Sequence, residues 1–256
     1  MSPHDSIIHV QDLVVDYKSR RTKMRALHGI SFDVTPGECV GFIGPNGAGK
    51  SSTIKTMMGF HFPTSGTVEL FGRRPGDIRS RTRTGYLPEV SLYYPFMKGR
   101  ELLELYGGLQ GLSRRELKQR IPPLLERVGL GGRGETLIRE YSKGMQQRLG
   151  IAQAIIADPE LLIFDELNSG LDPVGRYDLR QVLLDIKSRG ATIFFSSHEL
   201  HEVEALCDRI IVINQGRIIE EADVAALMAR LGDATLEHYF MQLIRPEAAE
   251  ELLERA

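Results

Sequence analysis

Gly44-Pro45-Asn46-Gly47-Ala48-Gly49-Lys50-Ser51 is the stretch on which the fold turns. It follows CVGFI (39–43), an apolar run that reads as a strand, and precedes STIKTMMGF (52–60), which reads as a helix. The spacing is G-x-x-x-x-G-K-[ST], and in that strand-to-helix context it specifies a phosphate-binding loop. Its glycines let the backbone wrap closely around a phosphate, with N–H groups exposed at a helix N-terminus where the dipole favours an anion. Lys50 is expected to neutralise β and γ phosphates and the Ser51 hydroxyl to ligate Mg2+, with Ser52 next to them among the nucleotide-binding residues. The bland alternative is a glycine-rich turn without a ligand. The Lys-Ser pair directly after the last glycine, with the right flanks, argues against it.

Outward from the loop, the chain alternates at the start and then changes period. IIHVQDLVVDY (7–17), ALHGISFDV (26–34) and GTVELFG (66–72) have strand character with Gly and Pro punctuation. From about Gly99, GRELLELYGGLQ (99–110) and SRRELKQRIPPLLERVGL (113–130) carry Leu at helical steps. Pro122 and Pro123 are expected to break or restart the second of these helices. SKGMQQRLGIAQAIIADP (142–159) opens on Ser142 as N-cap and stops before Pro159.

After it come ELLIFDE (strand), VGRYDLRQVLLDIKSRG (helix), ATIFFSSH (strand), ELHEVEALCD (helix) and RIIVINQGRIIEEA, a hairpin about Gly216. Strands alternating with helices predict an α/β fold with a mainly parallel sheet, and LLIF and TIFF fit strands covered on both faces. The expectation is a P-loop NTPase core (1–88 and 157–222), with an N-terminal antiparallel β subdomain and an inserted α-helical subdomain (89–156). A short helical tail (223–256) follows, built on DVAALMARLG and TLEHYFMQLI.

LLIFDE puts Asp165 and Glu166 at the exit of an apolar strand, the edge where a parallel sheet presents ligand-binding groups. Asp165 is expected to hold Mg2+, directly or through water, and Glu166 to take a proton from the attacking water. Solvated acids at a strand end are the plain alternative, weakened by the phosphate loop upstream. His198 follows the strand TIFFSS and could donate to the γ-phosphate or hold the attacking water. His4, His9, His28, His61, His201 and His238 have no comparable placement and read as structural or surface residues.

Composition narrows the partners. The 256 residues are 42% apolar and 26% charged, which excludes disordered and collagen-like classes. With 32 Lys plus Arg against 34 Asp plus Glu, the net charge of -2 gives no global case for nucleic acid or an anionic membrane. Cys39 and Cys207 sit in apolar settings without metal-like spacing and read as reduced core thiols of a cytoplasmic protein. The start, MSPHDSIIHVQDL, lacks the basic flank and apolar core of a signal peptide, and no apolar run nears the ~20 residues that span a bilayer. Work at a membrane would then go through another polypeptide.

Six ordered elements together make the chain resemble the ATP-binding subunit of ATP-binding cassette (ABC) transporters over about residues 7 to 222. These are Tyr17 in the first strand, the phosphate loop, GYLPE (85–89), YSKGMQQR (141–148), LLIFDE with SGLD (169–172), and SSH (196–198). The resemblance implies ATP and Mg2+ as cofactors and a head-to-tail dimer, a homodimer being permitted, in which each ATP lies between one subunit's phosphate loop and the other's signature helix. Tyr17 would stack on adenine, Ser142 and Gly144 would touch the γ-phosphate across the interface, and Asp172 would join the two sites. Tyr17 as a core aromatic and Ser142 as an N-cap alone remain open.

The sequence departs from the family pattern in places. Leu-Ser-Gly-Gly-Gln is here Tyr141-Ser142-Lys143-Gly144-Met145, and the usual Pro-Thr after Glu166 is Leu167-Asn168. Neither change removes a phosphate ligand. Glu89 stands where the family most often has Gln, placing a carboxylate near Mg2+ and the γ-phosphate, with a tighter Mg2+ dependence expected. An exposed loop acid is the other reading.

YSKGM, GYLPE and the short tail are similar to the ATPase subunits of ABC-2 type exporters, whose integral membrane permease is a separate chain. The resemblance then implies ATP hydrolysis coupled to transport, with the protein peripheral on the cytoplasmic face of the inner membrane through that permease. In that group the permease docks on a loop and helical lobe, here about Glu89 to Leu109. Tyr93, Tyr94, Pro95, Phe96 and Met97 form an apolar cluster there that suits docking, or packing under the lobe. The alternative function is a soluble ABC ATPase acting on nucleic acid or ribosomes. One cassette, no coiled-coil insertion and no basic tail weigh against it, and no nucleic-acid partner is expected.

Overall fold

The computed structural model describes residues 6–18, 23–166, 171–232 and 234–244. In chain order the elements begin with β1 (Ile8–Lys18), β2 (Lys23–Val34), β3 (Cys39–Ile43), α1 (Lys50–Met57), β4 (Ser65–Leu70) and α2 (Ile78–Arg81). Then come β5 (Thr84–Leu87), α3 (Gly99–Leu109), α4 (Arg114–Arg127), a 3-10 turn at Ile138–Glu140, α5 (Lys143–Ile155) and β6 (Leu161–Phe164). The chain closes with α6 (Pro173–Ser188), β7 (Thr192–Ser197), α7 (Leu200–Leu206), β8 (Arg209–Asn214), β9 (Arg217–Asp223), α8 (Val224–Leu231) and α9 (Leu236–Ile244). It divides into two units, Met1–Pro75 with Ser196–Ala256, and Gly76–Phe195.

In the first unit, β1 lies between β2 and β4, antiparallel to both, with Ile8 opposite Val34 on one side and Leu70 on the other. This is the expected antiparallel N-terminal sheet, built from the strands the alternation marks. Asp12, at φ 49, marks an irregularity that shifts the register between Val10 and Leu13 and keeps both Val10 and Leu13 buried. β3 pairs in parallel with β8, and β8 with β9 antiparallel through a tight turn whose Gln215 and Gly216 have φ 46 and 72. All five residues of β3 are buried, as a strand covered on both faces requires. Each apolar side chain fully removed from water there contributes about 2 kcal/mol. Cys39 and Cys207 are both buried thiols.

In the second unit, β5, β6 and β7 form a parallel ladder, with Leu87 opposite Phe164 and Phe164 opposite Phe195. β6 and β7 are buried along their whole length. The helices take their apolar faces from the Leu spacing: α3 buries Leu102 and Leu103, and α4 buries Leu117, Ile121, Leu124 and Leu125. α4 starts with a reciprocal cap in which Ser113 and Glu116 each bond the other's backbone.

The expected break at Pro122 and Pro123 does not occur, because α4 runs unbroken through both. A proline frees the carbonyl four residues before it, here those of Lys118 and Gln119. Lys118, Gln119, Pro122 and Pro123 are all exposed, so water can take the freed carbonyls while the opposite face stays packed.

Candidate functional site

The phosphate loop leaves the buried end of β3 and turns into α1 through Gly49, whose φ of 114 places it in the left-handed region at the N-cap. Two close approaches fix the composition of the loop. A Cβ on Gly44 would stand 2.2 Å from the Ile213 carbonyl oxygen, and one on Gly49 would meet Leu27 at 2.6 Å. The loop is tied by Ala48 N–H to the Pro45 carbonyl at 3.1 Å and by Gly216 N–H to the Ala48 carbonyl at 2.8 Å. Lys50 is buried, and its Nζ donates to the Gly44 carbonyl at 2.8 Å and the Pro45 carbonyl at 3.4 Å, so the ammonium lies in the curve of the loop. No acid occupies the first turn of α1, which leaves its positive end to Lys50, Ser51 and Ser52. A backbone loop that admits no Cβ at Gly44 or Gly49, with a buried ammonium inside and a helix N-terminus behind, suits a polyphosphate chain.

Tyr17, on β1, is half-buried, and its hydroxyl donates to Ser52 Oγ at 3.2 Å. Its ring stacks on His61, with centroids 4.6 Å apart and planes at 26°. His61 was not separable by sequence from the other structural histidines, since the loop after α1 meets β1 only through the fold. His198 is exposed, between β7 and α7.

In the second unit, β6 delivers Asp165 almost wholly buried, with its N–H on the Leu87 carbonyl at 2.9 Å. Glu166 follows at φ 58, a left-handed conformation uncommon outside glycine, and is half-buried. Because β5 and β6 are parallel and in register, Glu89 leaves the same strand edge as this pair, and it is exposed. Burial, and then the charge of Asp165, push the Tyr86 hydroxyl up to about 12. Among the described residues no group of three or more His, Cys, Asp or Glu is gathered as a metal site.

Ser142 is exposed and caps α5, its Oγ accepting from the Met145 N–H at 3.2 Å, as the sequence anticipated. Gly144 lies in the first turn, which contains no acid. The departure at Tyr141 has a packing explanation. Its ring is buried and its hydroxyl donates to the Arg133 carbonyl at 2.7 Å, against Gly99, where a Cβ would approach that hydroxyl to 2.4 Å. Asp172 caps α6, its carboxylate accepting from the Gly175 N–H at 2.8 Å, a local task the sequence reading had not given it. Leu167, Asn168, Ser169 and Gly170 lie outside the described residues.

The segment between β5 and α3 displays its apolar side chains. Leu92 is 89% exposed, Phe96 71%, Val90 65% and Tyr94 54%. Tyr93 instead is half-buried, and burial pushes its hydroxyl up to about 12. Among the described residues no helix is long and apolar enough to cross a membrane.

A family model described as ABC transporter matches residues 27–169. The ABC transporter ATP-binding protein all4389 of Nostoc sp. is 44% identical over 219 residues, which are 84% of this chain and 65% of that protein. This chain thus spans less than two thirds of the Nostoc relative's length. The Nod factor export ATP-binding protein I of Paraburkholderia xenovorans is 40% identical over 203 residues, 78% of this chain and 67% of the relative. Among solved structures, an ATP-binding subunit of an ABC transporter superposes with a TM-score of 0.84 at 33% identity, covering 93% of this chain and 99% of that one.

Proposed function

The chain belongs to the ABC transporter family, and from that premise we propose that it hydrolyses ATP as the motor of a separate membrane permease, working in export. The observation that carries the reading is the phosphate loop, a cradle closed to any Cβ at Gly44 and Gly49 with Lys50 held inside it. The name of the Paraburkholderia relative supports export as the direction. Residues 1–222 form the cassette, with the helical part at about 89–156 between core segments 1–88 and 157–222, and 223–256 form a tail. The protein works on the cytoplasmic face of the inner membrane.

The roles follow from each group's chemistry. Backbone N–H groups of Asn46, Gly47 and Gly49 and the N-terminus of α1 bind the phosphates, and Lys50 neutralises their β and γ oxygens. Ser51 and Asp165 supply hard oxygen ligands for Mg2+, with Glu89 able to add a third. When bound, Mg2+ would offset the negative charge of the phosphates. So few protein ligands suit this ion, which takes one or two carboxylates and the phosphates of its substrate. Glu166 accepts the proton of the attacking water, and His198 holds that water or donates to the γ-phosphate. Tyr17 stacks on adenine. The exposed N-terminus of α5, with Ser142 and Gly144, offers an anion site to the ATP of a second subunit, and Asp172 links the two sites.

Glu166→Gln tests both the base and the dimer. It keeps the shape and removes the proton acceptor, so turnover should fall by at least about a hundredfold while ATP still binds. The variant should elute at twice the monomer mass in Mg-ATP and at monomer mass without it. Retained turnover would contradict the assignment of the base, and a monomer under both conditions would contradict the shared site.

A further inference from the structure

We infer that His61 is a positioning residue for the nucleobase: stacked on Tyr17, it fixes the ring on which the base of the bound nucleotide is laid. The inference rests on the reading of this chain as an ATP-binding protein and adds a residue that the family motifs do not include. At a centroid separation of 4.6 Å no ring can enter between Tyr17 and His61. A base using Tyr17 must therefore take its other face, so that the order is His61, Tyr17, base.

Both rings are held from their own backbones. The loop carrying His61 folds back on α1, with Phe60 N–H donating to the Lys55 carbonyl at 2.8 Å and His61 N–H to the same oxygen at 3.3 Å. Its far end is fastened to β1, Thr64 N–H donating to the Val14 carbonyl at 2.7 Å and Asp16 N–H to Thr64 Oγ1 at 2.9 Å. Asp16, next to Tyr17, is buried and accepts from Arg25 Nε at 2.8 Å. Within this clamp Phe60 and Phe62 are exposed, at 60% and 85%, whereas His61 between them is half-buried against the tyrosine.

Tyr17 keeps two rotatable side-chain bonds. The contact with His61 sets its plane, and its hydroxyl bond to Ser52 Oγ ties its tip to the helix that begins the phosphate site. Base and phosphates are then received by one preorganised piece, and the nucleotide need not order the tyrosine as it binds. The larger face of a purine gains most from such a stack.

Isothermal titration with two probes tests this. ADP has a base and Mg-tripolyphosphate has none. His61→Ala should loosen ADP roughly three- to tenfold and leave tripolyphosphate unchanged. His61→Phe should restore ADP binding, and His61→Leu should not. In a Tyr17→Ala background, His61→Ala should have no further effect on ADP, since it acts through that ring. Unchanged ADP affinity, equal loosening of both probes, or an undiminished effect without Tyr17 would overturn the inference. A wild-type chain that binds neither probe would instead overturn the ATP-binding reading on which it rests.

Discussion

Arg209 satisfies three residues with one guanidinium: Nε donates to Glu38 at 2.6 Å, one Nη to Glu221 at 2.8 Å, and the other to the Asp33 carbonyl and to the second Glu38 oxygen at 3.2 Å. Only 22% of the Arg209 side chain and 15% of Glu38 remain exposed, so the pair is poorly screened. Burial alone would raise the Glu38 carboxyl, but hydrogen bonds from Arg209 and Thr35 bring it below the ordinary carboxylate range. A depressed carboxyl stabilises the fold above its unfolded value of about 4.3 and loses that contribution as pH falls through the folded value. Glu221 has the opposite sign, since burial raises it, and its share fades as pH rises.

Arg209→Met should therefore lower stability by about 2 kcal/mol at neutral pH, and the gap to wild type should narrow below about pH 4. Urea midpoints between pH 3.5 and 8 measure this; a constant gap would show that charge is not the cause. Residues of this kind were opaque in the sequence, because Arg209 and Glu38 meet across the fold. Lys50 and Ser142 were legible, because each acts within eight residues of its own motif and its geometry comes from a local turn or cap. His61 shows the contrast: nothing within five residues of it names Tyr17 as its partner.

The unusual Tyr141 joins two elements, the turn before α5 and the start of α3. Its hydroxyl sits where a Cβ at Gly99 would come to 2.4 Å, and it ends on the Arg133 carbonyl, so the tyrosine and the glycine are a matched pair. Gly99→Ala alone should destabilise by about 1–3 kcal/mol through overpacking. Tyr141→Leu alone gives up the hydrogen bond and leaves space. The two together should be less harmful than their sum, by at least about 1 kcal/mol of coupling in a thermal or urea double-mutant cycle. Additivity would mean the backbone yields and the pair is incidental.

At this scale the sequence predicted most elements correctly. Buried runs such as LLIF, and the Ser142 cap, leave few alternatives. It failed at Pro122 and Pro123, since whether a proline stops a helix depends on which face its freed carbonyls meet. In α4 both face water while Leu117, Ile121, Leu124 and Leu125 keep the other side in place. Their helical spacing marks these residues as the packed side, and that packing holds α4 together across both prolines.

On the scale of the molecule, the motifs specified an α/β P-loop fold, whereas the exposure of the apolar segment after β5 had to be seen. Sequence left the segment around Tyr94 and Phe96 undecided between docking and core, since the same apolar residues serve either end. The structure shows Val90, Leu92, Tyr94 and Phe96 all turned outward within seven residues. Exposed apolar side chains so concentrated suit a protein interface. No described helix is long and apolar enough to cross a bilayer, and in the proposed motor this patch is the surface that meets the permease.

The proposed motor therefore predicts that Phe96→Asp, a charge placed within the patch, lowers the fraction of the chain that sediments with cell membranes at least about tenfold. ADP titration should be unchanged, because nothing in the phosphate loop, the Asp165–Glu166 pair or the α5 N-terminus is altered. Lys98→Ala serves as the polar control: its exposed ion pair with Glu135 contributes little, so it should sediment as wild type does. If Phe96→Asp stays on the membrane, the docking surface lies elsewhere. If it leaves the membrane but also loses ADP, the substitution has disturbed the fold rather than the interface.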